Sequence, residues 1–152
     1  MITYLKINGF KSFHNFEMEF TPFTVIAGAN ASGKSNLFDA LTLLSRLAET
    51  DNLKRAFSEQ RGEFIELFTQ YGDDNYASEM EFVVEMLVNK NVKDAWGNDA
   101  KLKYKRLRYE LSIKRVTNSS GIQDLAVSKE NLFKLNHQED IWVTGIIPKK
   151  SL

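Results

Sequence analysis

The sequence predicts a single α/β unit over residues 1–152, and three observations support this class. Residues 2–7 and 16–20 alternate between apolar and polar side chains, as half-buried strands do. Residues 23–27 form a short continuous β-rich run, typical of a strand buried on both faces. Residues 34–48 then repeat their apolar side chains with a helical period. A buried strand, a loop and a helix in direct succession indicate an α/β protein.

The remaining chain is predicted to contain one more helix and then mainly strands. The helix covers residues 53–71, with Gly62 as its weak point, and a turn follows at 72–75. The later elements are a strand at 78–88, a polar loop at 89–100 that carries Trp96, a strand region at 102–116 and its hairpin partner at 122–127. The alternation of apolar and polar residues in this strand region changes phase near Lys105 and Arg106, which predicts a bulge or bend there.

The composition excludes several classes of protein. The chain has 43% hydrophobic and 12% aromatic residues, which supports a buried core and argues against intrinsic disorder. Because cysteine is absent, a disulfide framework, a thiolate metal site and a cysteine nucleophile are excluded. His14 and His137 lie far apart in sequence, so a zinc enzyme is not expected. We find no signal-peptide pattern and no apolar run of membrane-spanning length, and we therefore expect a cytoplasmic protein without a membrane partner.

One segment carries recognisable chemistry, because it fits the pattern G-x-x-x-x-G-K-[ST] at every required position. Its residues are Gly28, Ala29, Asn30, Ala31, Ser32, Gly33, Lys34 and Ser35. Such a loop brings backbone N–H groups close to an anion, and the N-terminus of the following helix adds further donors. Lys34 is expected to reach the β- and γ-phosphates as the catalytic residue, and the Ser35 hydroxyl is expected to ligate Mg²⁺. The predicted strand before the loop and the helix after it are the setting that this motif requires.

The residues around the motif resemble the opening of ABC-type, AAA-like ATPases of the SMC/RecF/OLD-like group, which act in chromosome maintenance, recombination and phage defence. The similarity includes Asn30 and two runs, Asn8-Gly9-Phe10-Lys11-Ser12-Phe13 and Ser35-Asn36-Leu37-Phe38-Asp39-Ala40-Leu41. It is clear over residues 1–48 and looser through about residue 135. Ala31 departs from the family pattern, which usually has glycine at this position. We expect a slight effect on the loop and no loss of binding.

The resemblance implies a P-loop NTPase fold, namely an ABC-type ATPase head lobe with an added antiparallel β layer. It implies ATP and Mg²⁺ as ligands, and a head-to-head dimer in which each nucleotide lies between one subunit's P-loop and the other's signature motif. It also extends the nucleotide site to Asn36, Lys11 and Ser12. For Lys11 and Ser12 a solvated loop is an equal alternative to a phosphate or base contact.

Two parts of a complete ATPase head are not found in the sequence. The nearest approach to a Walker B strand, Phe82-Val83-Val84-Glu85, lacks the aspartate and is interpreted as an ordinary strand end. Residues 118–121 resemble a signature motif superficially and are interpreted as a hairpin turn. We therefore expect the N-terminal lobe of a longer ATPase, completed by the C-terminal remainder of the same protein. This piece should not hydrolyse ATP by itself, since half of the catalytic apparatus is missing.

Three further candidates are weaker. Arg61 matches an ATP-contacting arginine of SMC-like heads, although a plain surface arginine is favoured. Gln138 matches the Q-loop glutamine that reaches the metal in such heads. A basic run could follow a DNA backbone, although a solvated strand face that protects an exposed sheet edge is favoured; it consists of Lys101, Lys103, Lys105, Arg106, Arg108, Lys114 and Arg115.

The function predicted on this basis is that of an ATP-binding lobe whose full-length form acts on DNA, in repair or recombination, or in phage defence. One alternative is a nucleotide-binding regulatory or interaction module that does not hydrolyse ATP. A kinase-like P-loop transferase is less favoured, because the chain is short, lacks lid arginines and has the SMC-type segment before its motif.

Overall fold

An antiparallel sheet of five strands forms the body of the protein, and its strands lie side by side in the order Phe16–Glu19, Ile2–Asn8, Glu79–Leu87, Arg106–Thr117 and Gln123–Lys134. The structure is a computed structural model that describes residues 1–50, 52–94, 96–117, 119, 121, 123–136, 140 and 142. Its strands are β1 (Ile2–Asn8), β2 (Phe16–Glu19), β3 (Gln70–Gly72), β4 (Asn75–Tyr76), β5 (Glu79–Leu87), β6 (Asn91–Lys93), β7 (Asp99–Lys101), β8 (Arg106–Thr117) and β9 (Gln123–Lys134). Two helices, α1 (Lys34–Glu49) and α2 (Leu53–Ser58), and a 3₁₀ turn (Phe64–Leu67) complete the described elements.

The helix α1 covers one face of the sheet and shares its hydrophobic core. Its buried side chains, Leu37, Ala40 and Leu43, recur at helical spacing. They belong to the same buried cluster as Leu5 of β1 and Phe82 of β5. Burial of one leucine or phenylalanine side chain contributes about 1.5–3 kcal/mol. No helix among the described residues is long and apolar enough to cross a membrane.

The alternation of β1 and β5 explains their register. In β1, Leu5 and Ile7 are fully buried, and they pair with Val84 and Phe82 of β5. Because side chains alternate between faces along a strand, this register places the apolar side chains of both strands under α1. The predicted strands at residues 2–7, 16–20 and 78–88 are thereby confirmed as β1, β2 and β5.

The predicted buried strand at residues 23–27 is wrong for this structure. The segment belongs to none of the described strands, and Phe23 and Val25 are 83% and 71% exposed. After β2 the chain turns at Thr21, whose N–H donates to the Oγ1 of Thr24 at 3.0 Å. No described strand runs beside the segment, so its apolar side chains and backbone groups lack the partner that a buried strand requires.

The predicted helix at residues 53–71 is also corrected, because α2 ends at Ser58. Gly62 lies four residues beyond this end and has φ +91, a left-handed conformation that a continuous helix over residues 53–71 could not contain. A capping box between Glu63 and Glu66 then starts the 3₁₀ turn, and β3 follows.

The second half of the chain has more strand structure than predicted. The polar segment 89–100 contains β6 and most of β7, which pair as a hairpin. The phase change near Arg106, where a bulge or bend is predicted, coincides with the beginning of β8. The irregularity in the pairing of β8 with β9 lies further along, between Ser112 and Ile113. β9 extends to Lys134, well beyond the predicted end at residue 127.

Candidate functional site

The predicted phosphate-binding loop connects the exposed segment 23–27 to α1. Ala31 and Gly33 have left-handed backbones, with φ 64 and φ 87, and Gly33 is the residue that precedes α1. The N–H of Leu37 donates to the Gly33 carbonyl at 3.1 Å and closes the first helical turn. The preceding N–H groups of a helix have no intrahelical acceptor, and the helix dipole makes this end partly positive. The loop and the start of α1 thus form a set of donors suited to an anion.

Lys34 lies inside this loop. Its Nζ donates to the carbonyl oxygens of Gly28 and Ala29 at 2.6 and 2.5 Å, and to the Ser32 Oγ at 3.3 Å. A Cβ on Gly28 would lie 2.9 Å from that same Oγ, so a larger residue there would displace the Ser32 hydroxyl. The ammonium is therefore held where phosphate oxygens could replace the neutral carbonyl partners as its acceptors.

Two side chains that could contact a metal-bound nucleoside triphosphate, those of Lys34 and Ser35, lie at the start of α1. Ser35 is exposed in the first turn, one residue after Lys34. A hydroxyl beside a ring of N–H donors and an ammonium fits a triphosphate with a hard divalent cation. The residues that could hold the nucleotide here are thus Gly33, Lys34 and Ser35, and the Ser35 hydroxyl is the group among them that could contact a metal ion.

The loop between β1 and β2 is packed against the beginning of α1. The Ser12 Oγ accepts a hydrogen bond of 2.8 Å from the Asn36 Nδ2, and it would lie 3.5 Å from a Cβ placed on Gly33. Phe13 donates its N–H to the Phe10 carbonyl at 2.8 Å, which closes the turn that carries Ser12. In the structure, residues 10–13 therefore lie beside Gly33 and the first turn of α1.

Lys11 contacts a carboxylate that the sequence analysis did not assign a role. Its Nζ lies 2.6 Å from the Asp39 Oδ2, and the two side chains are 14% and 15% exposed. The solvated-loop alternative is therefore wrong for Lys11. Arg61 is 84% exposed, in agreement with a surface arginine, although its Nη2 lies 3.6 Å from the Asp39 Oδ1. The sequence contained one signal that Asp39 lies near the site. Asp39 follows Ser35 by four residues, so the two residues lie on the same side of α1.

A cleft of about 450 Å³ adjoins the P-loop at Ser12 and Asn36. Its volume lies in the range of small-molecule sites, roughly 300–1,000 Å³. The wall mixes polar and aromatic side chains and consists of Lys11, Ser12, Asn36, Glu66, Phe68, Gln70 and Tyr76. A larger groove of about 490 Å³ between α1 and the sheet is mainly apolar. Neither opening is lined by a residue of the motif 28–35 itself.

The basic run at residues 101–115 does not form one solvated face. Arg106 is 4% exposed and donates to the two carboxylate oxygens of Asp140. Arg108 lies 3.1 Å from Glu85 and 2.9 Å from Glu110. These guanidinium groups are held by internal carboxylates, so they cannot act as free phosphate contacts. The edge-strand interpretation is also wrong, because β8 pairs with β5 on one side and β9 on the other.

The last candidates fall in different places. Gln138 lies outside the described residues, as do parts of the segment 118–121. The Walker B-like run lies within β5 rather than at its end, which supports an ordinary strand. Neither tryptophan is assigned a role from the sequence: Trp96 is 86% exposed, whereas Trp142 donates its indole N–H to the Phe20 carbonyl at 2.6 Å.

Comparison with known proteins places this geometry among ATPase domains. Residues 4–147 match the family model of the AAA domain. A similar solved structure comes from work on the structural biochemistry of ATP-driven dimerization and DNA-stimulated activation of SMC ATPases. The two chains share 21% identity with a TM-score of 0.51, and the match covers 86% of this chain and 71% of the other. This likeness confirms the predicted fold of a P-loop ATPase head lobe. No curated protein matches the chain.

Proposed function

Because the chain belongs to the AAA domain family, we propose that it is the ATP-binding lobe of an SMC/RecF/OLD-like ABC ATPase. The observation that carries this proposal is the position of the Lys34 ammonium inside the loop at the start of α1, on the carbonyls of Gly28 and Ala29. A cation enclosed by a loop with left-handed residues, at the positive end of a helix, is suited to a phosphate chain.

The backbone N–H groups of the loop, the Lys34 ammonium and the Ser35 hydroxyl have different roles in this proposal. The N–H groups of residues 28–35 hold the β-phosphate, and Lys34 transfers its hydrogen bonds from the loop carbonyls to the β- and γ-phosphates. Ser35 supplies a hydroxyl ligand to Mg²⁺, which neutralises phosphate charge when bound. The cleft beside Ser12 and Asn36 takes the nucleoside side of the ligand, because it opens next to the same loop.

We propose that the exposed segment 23–27 becomes a sheet strand in the complete head. Its β-rich sequence predicts a central strand, yet Phe23 and Val25 are exposed and no described strand pairs with it. A strand supplied by the remainder of the protein, carrying the Walker B carboxylates, would bury these side chains next to the P-loop. The 152-residue chain alone is therefore inactive as an ATPase.

The role of the whole protein is proposed by analogy. The similar SMC ATPases are described by ATP-driven dimerization and DNA-stimulated activation. We propose a head-to-head homodimer that forms around ATP and acts on DNA or in phage defence. The guanidinium groups of Arg106, Arg108 and Arg115 have internal partners, so DNA contacts there would fall to the exposed lysines, which are Lys101, Lys103, Lys105 and Lys114.

Calorimetric titration of the 152-residue chain with ATP and Mg²⁺ tests the binding site. Lys34→Ala should weaken binding by roughly a hundredfold, because two charge-assisted hydrogen bonds are lost. The matched control is Lys54→Ala, since Lys54 is an exposed lysine whose partner is Asp124, away from the loop. Equal ATP affinity of the Lys34 variant and the unmodified chain would refute the site.

Assays of phosphate release and phosphate transfer distinguish the proposed fragment from a self-sufficient ATPase and from a kinase-like transferase. We expect no turnover above background from the purified 152-residue chain. Sustained ATP hydrolysis that disappears in the Lys34→Ala variant would contradict the proposal that catalytic residues come from the remainder of the protein. Transfer of phosphate to a small acceptor would instead favour a kinase-like transferase.

A further inference from the structure

We propose that Asp39 is a positioning residue, whose carboxylate holds Lys11 and the loop between β1 and β2 against the nucleotide cleft. This inference rests on the proposed ATP-binding function. Asp39 itself does not line the cleft, whereas its partner Lys11 and the neighbouring Ser12 both do. The carboxylate therefore acts on the ligand through the residues that it places.

The Lys11–Asp39 contact is a close and largely buried ion pair. The Nζ and Oδ2 atoms are 2.6 Å apart, and about 85% of each side chain is removed from solvent, since 14% and 15% remain exposed. Screening by water and salt is weaker for such a pair than for a surface pair. Loss of the carboxylate would leave the ammonium without this partner, and Lys11 would move towards solvent.

The backbone of the same loop is in an unfavourable conformation that needs support. The Lys11 backbone has φ 47, in the left-handed region that residues other than glycine rarely adopt. Its N–H donates to the Leu67 carbonyl at 2.8 Å, while its ammonium is fixed by Asp39. Both ends of Lys11 are thus anchored, and Ser12 is directed towards Asn36 and the P-loop.

Arg61 brings a second cation to the same carboxylate. Its Nη2 lies 3.6 Å from the Asp39 Oδ1, and it approaches from the segment between α2 and the 3₁₀ turn. Asp39 therefore contacts cations from two separate segments, one from each side of α1 in the sequence. Because the Arg61 side chain is 84% exposed, water screens this longer contact, and the buried Lys11 remains the principal partner of Asp39.

If Asp39 positions Lys11, removal of its charge should change ATP affinity in the direction opposite to that expected from electrostatics alone. A nucleotide is anionic, so removal of a nearby negative charge should strengthen its binding by electrostatics. If Asp39 instead positions Lys11, removal of its charge should weaken binding, because Lys11 and Ser12 lose their placement. The direction of change therefore distinguishes the two roles.

The experiment measures Mg²⁺–ATP affinity of the 152-residue chain by calorimetry for Asp39→Asn, Asp39→Glu and Lys11→Met, with Lys34→Ala alongside. Asp39→Asn should bind ATP about tenfold more weakly, and Asp39→Glu should recover most of that loss. In the Lys11→Met background, Asp39→Asn should cause little further loss, because the residue through which it acts is gone. Asp124→Asn is the matched control, since it removes an ion pair with Lys54 elsewhere.

Several outcomes would overturn the inference. Unchanged or tighter ATP binding in Asp39→Asn, while Lys34→Ala weakens binding by about a hundredfold, would refute the role of Asp39 and leave the proposed function intact. An equal loss with and without Lys11 would show that Asp39 does not act through this lysine. If Lys34→Ala has no effect, or the chain does not bind ATP, the proposed function fails and this inference fails with it. Thermal melting of each variant separates unfolding from a change in affinity.

Discussion

The Ser12 hydroxyl accepts a hydrogen bond of 2.8 Å from the side-chain amide of Asn36, which joins the loop after β1 to the first turn of α1. The two residues are 24 positions apart in sequence. Gly33, which directly precedes α1, lies close to the same hydroxyl, since a Cβ placed on it would be 3.5 Å from the Ser12 Oγ. This bond links the sheet to the P-loop by side chains rather than by the main chain. The position of the P-loop therefore depends partly on a residue outside the motif.

Substitution of Ser12 by alanine should weaken ATP binding without unfolding the protein. The variant removes the acceptor of the Asn36 amide at the edge of the cleft, and we expect a loss of about three- to tenfold in affinity, corresponding to a hydrogen bond of roughly 0.5–1.5 kcal/mol. Calorimetry with Mg²⁺ and ATP measures this change. Ser45→Ala is a suitable control, because Ser45 lies on α1 and bonds only locally to Glu49 among the described contacts. An unchanged affinity for Ser12→Ala would contradict the prediction.

The sequence predicted those elements whose pattern is complete within one segment. The helix α1 was predicted with its observed start and nearly its observed end, since the periodic side chains Leu37, Leu41 and Leu44 lie within the helix itself. The residues 23–27 were misassigned for the opposite reason. Whether an apolar β-rich run is buried depends on a partner strand, and no property of the run reports whether that partner is present.

Contacts between distant residues could not be predicted from one sequence. Arg106 and Asp140 are 34 positions apart, and Lys11 and Asp39 are 28 apart. A basic residue in a strand reads as exposed, so the buried ion pair of Arg106 was not foreseen and the basic run was taken for one face. The P-loop was predictable because its chemistry requires consecutive residues. The second set of site residues was predicted only in part, through the family resemblance of Lys11 and Ser12.

Substitution of Ala31 by glycine should stabilise the P-loop. Ala31 has φ 64, a conformation that costs an L-residue with a side chain about 1–2 kcal/mol and costs glycine almost nothing. Part of this gain is offset by the greater backbone entropy of glycine in the unfolded chain, so we expect a net increase in stability of roughly 0.5–1 kcal/mol. Thermal unfolding measures it, and ATP affinity should stay equal or increase slightly.

The opposite substitution at Gly33 provides the control for Ala31. Gly33 has φ 87, and a new Cβ there would lie 3.5 Å from the Ser12 Oγ. Gly33→Ala should therefore lower the unfolding temperature and weaken ATP binding. If Ala31→Gly lowered stability, the left-handed conformation of this residue would not be the one adopted in solution.

Glu110 should make the stability of the sheet sensitive to acid. Its carboxylate accepts hydrogen bonds from Lys129 and Arg108, at 2.8 and 2.9 Å, and these bonds hold the pKa of Glu110 below its usual value. Because the pKa is lower in the folded state, this contribution to stability is complete above the ordinary glutamate pKa of 4.5 and is lost as pH falls through the depressed folded value.

Glu110→Gln should unfold at a lower temperature than the unmodified chain at pH 7, and the difference should shrink as pH falls below 4.5. Thermal melts between pH 7 and 3 test this, with Lys129→Met as the variant that weakens the same pair from the other side. Parallel curves for Glu110→Gln and the unmodified chain would show that the ion pair does not contribute to the stability of the sheet.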